Sequence, residues 1–127
     1  MKLAITTKAN LEDSLFEIAF ETIDKYSGLN ACAKIELEGI DLSDLKQDGN
    51  SFVYIGELTE NVDVDNLKRY KRVILVAMGA KYQKMLKKVF DEEYDETYNP
   101  SKLFDLEDCY IIGDKASTKL LENDTEE

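Results

Sequence analysis

The apolar and polar positions divide the chain into short elements that alternate between a period of two and a period of 3.6. "VILVAM" (73–78) is an unbroken apolar run, as a strand covered on both faces requires. At Gly79 it gives way to apolar positions 82, 85, 86, 89, 90 and 94, the spacing of an amphipathic helix. "SFVYIGEL" (51–58) is a second strand of the buried kind. "ACAKIELEG" (31–39) instead alternates, with Ala31, Ala33, Ile35 and Leu37 on one face and Cys32, Lys34, Glu36 and Glu38 on the other, so an edge strand with one solvated side is expected. Leu3–Thr6 forms a short first strand. The helix predicted after it has apolar positions 11, 15, 18, 19, 23 and 26, Asn10 as N-cap, Glu12 and Asp13 in its first turn, and Gly28 at its end.

The remaining segments are shorter. "IDLSDLKQDGN" (40–50) carries turn residues, and "VDVDNLKRYK" (62–71) predicts a short crossover helix capped by Asp63 or Asp65. Asn99-Pro100 closes the long helical region, "SKLFDLED" adds a turn, and "CYIIGD" (109–114) supplies the last strand. Strands alternating with helices predict a three-layer α/β/α domain with a parallel or mostly parallel five-stranded sheet, in the flavodoxin-like order 2-1-3-4-5. An antiparallel second strand is the alternative. One domain is expected over 1–121, followed by a flexible acidic tail at 122–127.

Charge narrows the function classes. The 127 residues include 27 acidic and 16 basic side chains and no histidine, for a net charge of −11. Such a field opposes direct nucleic-acid binding and anionic membranes, and favours solubility or a basic partner. Without histidine, Ser-His-Asp, Cys-His and zinc-hydrolase chemistries have no general base or ligand. Cys32 and Cys109 form no CxxC pair, and "MKLAITT" has no signal-peptide pattern, so a reduced, cytoplasmic setting is expected. No apolar run approaches the roughly 18 to 20 residues of a membrane span.

In such sheets, ligands bind beyond the carboxyl ends of the strands. Three of those ends release a lysine: Thr6-Thr7-Lys8, Gly79-Ala80-Lys81 and Gly113-Asp114-Lys115. Lysines beside free backbone amides suit an anion or nucleotide, with Thr6, Thr7, Asn10, Gly79 and Gly113 shaping the cradle around Lys8, Lys81 and Lys115. A tight strand-to-helix turn is the default use of a glycine such as Gly79, and neither GxGxxG nor GxxxxGK[ST] is present. "ENVDVDNLKRYKRVILVAMG" (60–79) resembles the part of flavodoxins where an acidic loop and L..Y precede a central strand ending in glycine. The resemblance implies a flavodoxin-like fold with flavin phosphate at the first loop. Here that loop, "TTKANLED", lacks the glycine-bearing T-x-T-G-N-T-like cradle, so no cofactor is expected. A response-regulator receiver needs carboxylates where this chain has Thr6-Thr7 and Gly56-Glu57, and is excluded.

"FDEEYDETY" (90–98) packs Asp91, Glu92, Glu93, Asp95 and Glu96 around Tyr94 and Tyr98. It lacks the D-x-[DN]-x-[DN]-G calcium pattern, so no metal site is expected. Carboxylates with interleaved tyrosines make a partner-binding surface for a basic protein. A solvated helix end that frays into a loop is the simpler reading of the same residues. Nucleic-acid mimicry is disfavoured by Lys84, Lys87 and Lys88 one turn earlier. Tyr26, Tyr54, Tyr82 and Tyr110 read as core packing, and Cys32 has no neighbour to activate its thiol. The expectation is a small non-enzymatic interaction or accessory protein, of which a phage-type inhibitor is one form. The alternative is a small-ligand domain, and no catalytic residue is assignable.

Overall fold

A computed structural model describes residues 1–25, 33–41 and 52–121. The sheet has five strands, β1 (Lys2–Ile5), β2 (Ala33–Ile35), β3 (Val53–Glu57), β4 (Arg72–Ala77) and β5 (Cys109–Gly113), all parallel, in the order β1-β5-β4-β3-β2. The parallel α/β class is as expected. The order 2-1-3-4-5 is not, and burial gives the reason. An interior strand needs two apolar faces, and β5 ("CYIIG") is buried throughout, as is β4. β1 ("KLAI") has only exposed and intermediate positions, so it takes the edge and β5 moves inside. β2 occupies the other edge, as its alternation predicted, and pairs parallel to β3.

This order carries the chain from β1 across the whole sheet to β2, and then back through β3, β4 and β5. Because parallel crossovers are right-handed, the first connection and the later ones fall on opposite faces. The two cores agree. Leu15, Ile18 and Ala19 of α1 (Leu11–Lys25) pack on one face against Val53, Ile55, Ile74, Val76 and Ile112. On the other face Val64 and Leu67 of α2 (Val64–Leu67), Leu86 of α3 (Gln83–Asp91), and Leu103 pack against Val73, Leu75 and Ile111.

Local signals explain most boundaries. Asp63 caps α2, its side chain accepting from the Asn66 amide at 3.2 Å. A 3-10 turn over Lys8–Asn10 runs straight into α1, so Asn10 lies within the helical path rather than capping it from outside. α3 stops at Asp91, leaving Tyr94 beyond the helix that its spacing extended. Pro100 begins an element instead of only ending one, since Asn99–Asp105 is a 3-10 helix with proline in its first turn. Gly28, Tyr26, Ala31, Cys32, residues 42–50 of the turn segment, Ser51 and the 122–127 tail lie outside the described residues.

The strand ends opposite the candidate site are tied together by Arg72, only 3% exposed. Its Nε and Nη2 donate to the two carboxylate oxygens of Asp108 at 2.9 and 2.8 Å, while Nη1 donates to Glu21 at 2.8 Å and to the Ile18 carbonyl at 3.1 Å. The guanidinium stacks 4.6 Å from the centre of the Tyr110 ring, whose hydroxyl donates to the same Glu21 oxygen at 3.0 Å. Burial disfavours the cation, but the hydrogen bonds it donates to Asp108 and Glu21 outweigh that and leave the Arg72 pKa above its ordinary value.

Removing the arginine takes both guanidinium donors from the Asp108 carboxylate, whose side chain is 7% exposed. Arg72→Met should therefore lower the unfolding free energy by about 3–5 kcal/mol in urea denaturation. Adding Asp108→Leu should recover much of that loss. A single-variant loss below about 1 kcal/mol would show that the network contributes little.

Candidate functional site

The observed order makes β1, β5 and β4 consecutive neighbours, so the three loops singled out for their lysines leave adjacent strands. β1 and β5 release their loops to opposite faces, which makes their junction the topological switch point of the sheet. There the Thr6 amide donates to the Gly113 carbonyl at 2.8 Å, and Ser14 of α1 donates to Thr6 Oγ1 at 3.0 Å. Gly113 permits the close packing that follows, because a Cβ there would lie 2.8 Å from Ser117 Oγ and 3.2 Å from Thr118 Cγ2. Gly79, with φ of 106°, makes the turn that a side chain would strain.

The backbone amides at this junction already hold an anion supplied by the chain. Asp114 Oδ1 accepts from the Gly79 amide at 3.1 Å and from the Ser117 amide at 2.8 Å, while Ser117 Oγ accepts from the Asp114 amide at 2.9 Å. Asp114-x-x-Ser117 is thus a reciprocal capping arrangement, whose D-x-x-S spacing is a local signal missed in the sequence. Burial pushes the Asp114 carboxyl up, but the amide and hydroxyl donors from Ser117 and Gly79 prevail and hold it below the usual aspartate range.

The lysines do not all face this junction. Lys81 turns toward β3, its Nζ 3.6 Å from Glu57 Oε2, and it is also 5.3 Å from the Tyr82 ring centre. Lys115 is exposed, as are Thr7 and Asn10, and the Lys8 side chain lies outside the described residues. Farther along the same rim, two tyrosines bind carboxylates: Tyr82 donates to Glu57, and Tyr54 donates to Glu36 at 2.6 Å. Burial raises both phenol pKa values, and the adjacent carboxylate raises each further. Gly56 leaves room for the Tyr54 ring, whose hydroxyl a Cβ there would meet at 2.6 Å. A cleft of about 210 Å³ opens between these pairs, with Asp63 and Asn66 on its rim and Leu67 and Leu75 beneath. Tyr54, Tyr82 and Tyr110 were expected only to pack. Their carboxylate partners are distant in sequence, and no local pattern marked them.

No group of three metal-ligating side chains occurs among the described residues. Cys109 is buried, and burial pushes its thiol up to about 12, so it is inert at neutral pH.

The acidic segment follows α3. Asp91 closes the helix by pairing with Lys87 at 3.1 Å, which offsets its charge at the negative end of the dipole. Beyond it the loop is anchored rather than frayed. Asp95 accepts from the Thr97 amide at 2.9 Å and its hydroxyl at 2.6 Å, Tyr94 donates to Asp105 at 2.9 Å, and Lys88 lies 4.3 Å from the Tyr98 ring centre. Within this frame Tyr94 is 51% exposed and nearby Phe104 45% exposed, stacked edge-on to Phe90. Glu92, Glu93 and Glu96 make no hydrogen bond or ion pair among the described residues, and with Lys88, Asp91, Tyr94 and Asp95 they line an open concavity of about 810 Å³.

Two outcomes test the strand-end geometry. Gly113→Ala should cost about 1–3 kcal/mol in denaturant, because Ser117 and Thr118 are fully buried and have little room to move. The Asp114 carboxyl has a depressed pKa when folded, so its contribution is present above the unfolded value near 4 and is lost as pH falls through the folded value. Asp114→Asn should accordingly flatten the acid limb of stability measured below about pH 4, and an unchanged limb would remove Asp114 from that role.

No family model matches the chain, and neither a curated protein nor a solved structure does, so the functional reading rests on this geometry.

Proposed function

We propose that this chain is a non-enzymatic interaction protein that presents the 90–98 segment to a basic partner surface. One observation carries the reading: unpaired Glu92, Glu93 and Glu96 surround Tyr94, exposed at 51% on a loop anchored at Asp95 and Asp105. Anchored loops bind with less ordering cost, exposed aromatics supply contact area, and free carboxylates supply long-range attraction to a cationic surface. A cytoplasmic accessory or inhibitor role, of the phage type, suits a small chain with a charge of −11.

The ligand reading keeps one favourable feature, since adjacent β1, β5 and β4 gather Thr6, Gly113 and Gly79 at a switch point. Against it, Asp114 occupies the amides that an anion or nucleotide would use, and Lys81 is turned to Glu57. The acidic surface is therefore the better-supported site.

The free carboxylates can be neutralised without touching the loop's own anchors. With immobilised protein and cell extract, the Glu92→Gln, Glu93→Gln, Glu96→Gln triple variant should retain its partner roughly tenfold less well at low salt. Tyr94→Ala should weaken retention by a comparable factor. Equal retention by wild type and triple variant would overturn the proposal.

A further inference from the structure

Among the described residues, strand β1 is the edge left without protection. β2 is three residues long and carries Lys34, paired at 3.5 Å with Glu36 just beyond the strand. Charged, short edges resist further pairing. β1 has no proline or bulge, and its Ile5 is 60% exposed, more than the other large apolar side chains described as exposed.

The register shows which backbone groups are free. Thr6 donates inward to Gly113, and inward and outward residues alternate along a parallel strand, so Lys2 and Ala4 also face β5. The N–H and C=O groups of Leu3 and Ile5 consequently point away from the sheet. The two sides of this edge differ in chemistry. On one side, Leu3 packs into the core that holds α2 and α3, and Ile5 follows it on the same face, uncovered. On the other side lies α1. Ser14 of that helix bonds Thr6 at the end of β1, and Glu21 is close enough to Lys2 at its start for that cation to lower its pKa, after the larger effects of Arg72 and Tyr110. Glu17 falls on the same helical stripe between Ser14 and Glu21, and it is exposed. Lys2 itself folds inward, 5.6 Å from the Tyr110 ring centre.

We propose that the β1 edge accepts an extended segment of a basic partner as a sixth strand, paired to the backbone of Leu3 and Ile5. Its basic side chains face Glu17 and Glu21, and its apolar side chains cover Ile5. The period of two in an added strand converts this two-sided edge into a sequence preference, in which Lys or Arg alternates with a β-branched residue. A second copy of this chain fits poorly, because each carries a charge of −11 and would bring its own Glu17 to the edge. Residues 122–127, "ENDTEE", contain no apolar side chain to cover Ile5. The proposal shares with the loop reading only the sign of the partner's charge.

The test uses the whole protein and a fluorescent peptide, Lys-Val-Lys-Val-Lys-Val, with Glu-Val-Glu-Val-Glu-Val as control. Binding is followed by anisotropy and by backbone amide exchange. The basic peptide should bind, the acidic one should not, and the Leu3 and Ile5 amides should gain protection. Ile5→Pro keeps every inward hydrogen bond, because the N–H it removes points outward, yet it should weaken binding by about tenfold or more. Glu17→Lys should also weaken it, and together with Ile5→Lys it carries the test should Ile5→Pro fail to fold. The proposal is overturned by absence of binding at millimolar peptide, by equal binding of both peptides, or by binding that survives both edge substitutions. It is also overturned by a wild-type dimer in sedimentation that Ile5→Pro abolishes. Binding lost only in the Glu92, Glu93, Glu96 triple variant would overturn the edge and leave the loop reading standing. Loss only in the edge variants would separate the two the other way.

Discussion

The Arg72 guanidinium is the constraint that fixes α1 against the start of β4 and β5. It lies at the start of the central strand, and its donors reach the residue before β5, the body of α1 and a carboxylate one turn farther along that helix. A buried cation of this kind is weak evidence for stability in itself, since its desolvation offsets much of what the pairing returns. Its effect is on alternatives. With Asp108 held at β4 and Glu21 held under Tyr110, α1 has one place to lie and β5 has one neighbour to pair with. Slipping β4 against β5 by one residue would separate the buried cation from its carboxylate, in addition to turning every apolar side chain to the wrong face.

Fixing the lower ends of β4 and β5 beside α1 also determines what the upper ends look like. Once β1 leaves on the α1 face and β5 on the other, a crevice opens between them, and its amides require an acceptor. The chain provides Asp114. The same solution recurs along the rim, where Glu57 and Glu36 each take a tyrosine hydroxyl. In a protein with 27 acidic residues, carboxylates are the cheapest acceptors available, and the strand ends that would hold an anion elsewhere are here filled from within.

The sequence read well wherever the determinant was local. Periodicity located β4 and α3, Gly79 marked the turn between them, Asp63 was one of two candidate caps for α2, and the alternation over residues 31–39 put β2 at an edge. Strand order was misread, although burial demand contained the answer: "CYIIG" is too apolar for an edge and "KLAI" too short and polar for the interior. The pairs that define the rim and the base were not legible, because Arg72 meets Asp108 and Glu21 at separations of 36 and 51 residues and no spacing rule reaches so far. The acidic segment was visible as composition. That it is anchored through Asp95 and Tyr94, with Glu92, Glu93 and Glu96 left over, depended on the placement of Asp105 and Thr97 around it.

Charge placement separates what folding requires from what it does not. Asp108, Glu57 and Asp114 each satisfy a donor that the fold would otherwise strand. Glu92, Glu93 and Glu96 satisfy none among the described residues, and like charges crowded on one loop repel one another. Tyr94 and Phe104 beside them leave apolar surface in water. Stability alone would favour neutral side chains at the first three positions and polar ones at the last two. An outside cation that pairs the carboxylates and an outside surface that covers the rings would reverse both costs at once, which is why the loop is read as a surface awaiting a basic partner.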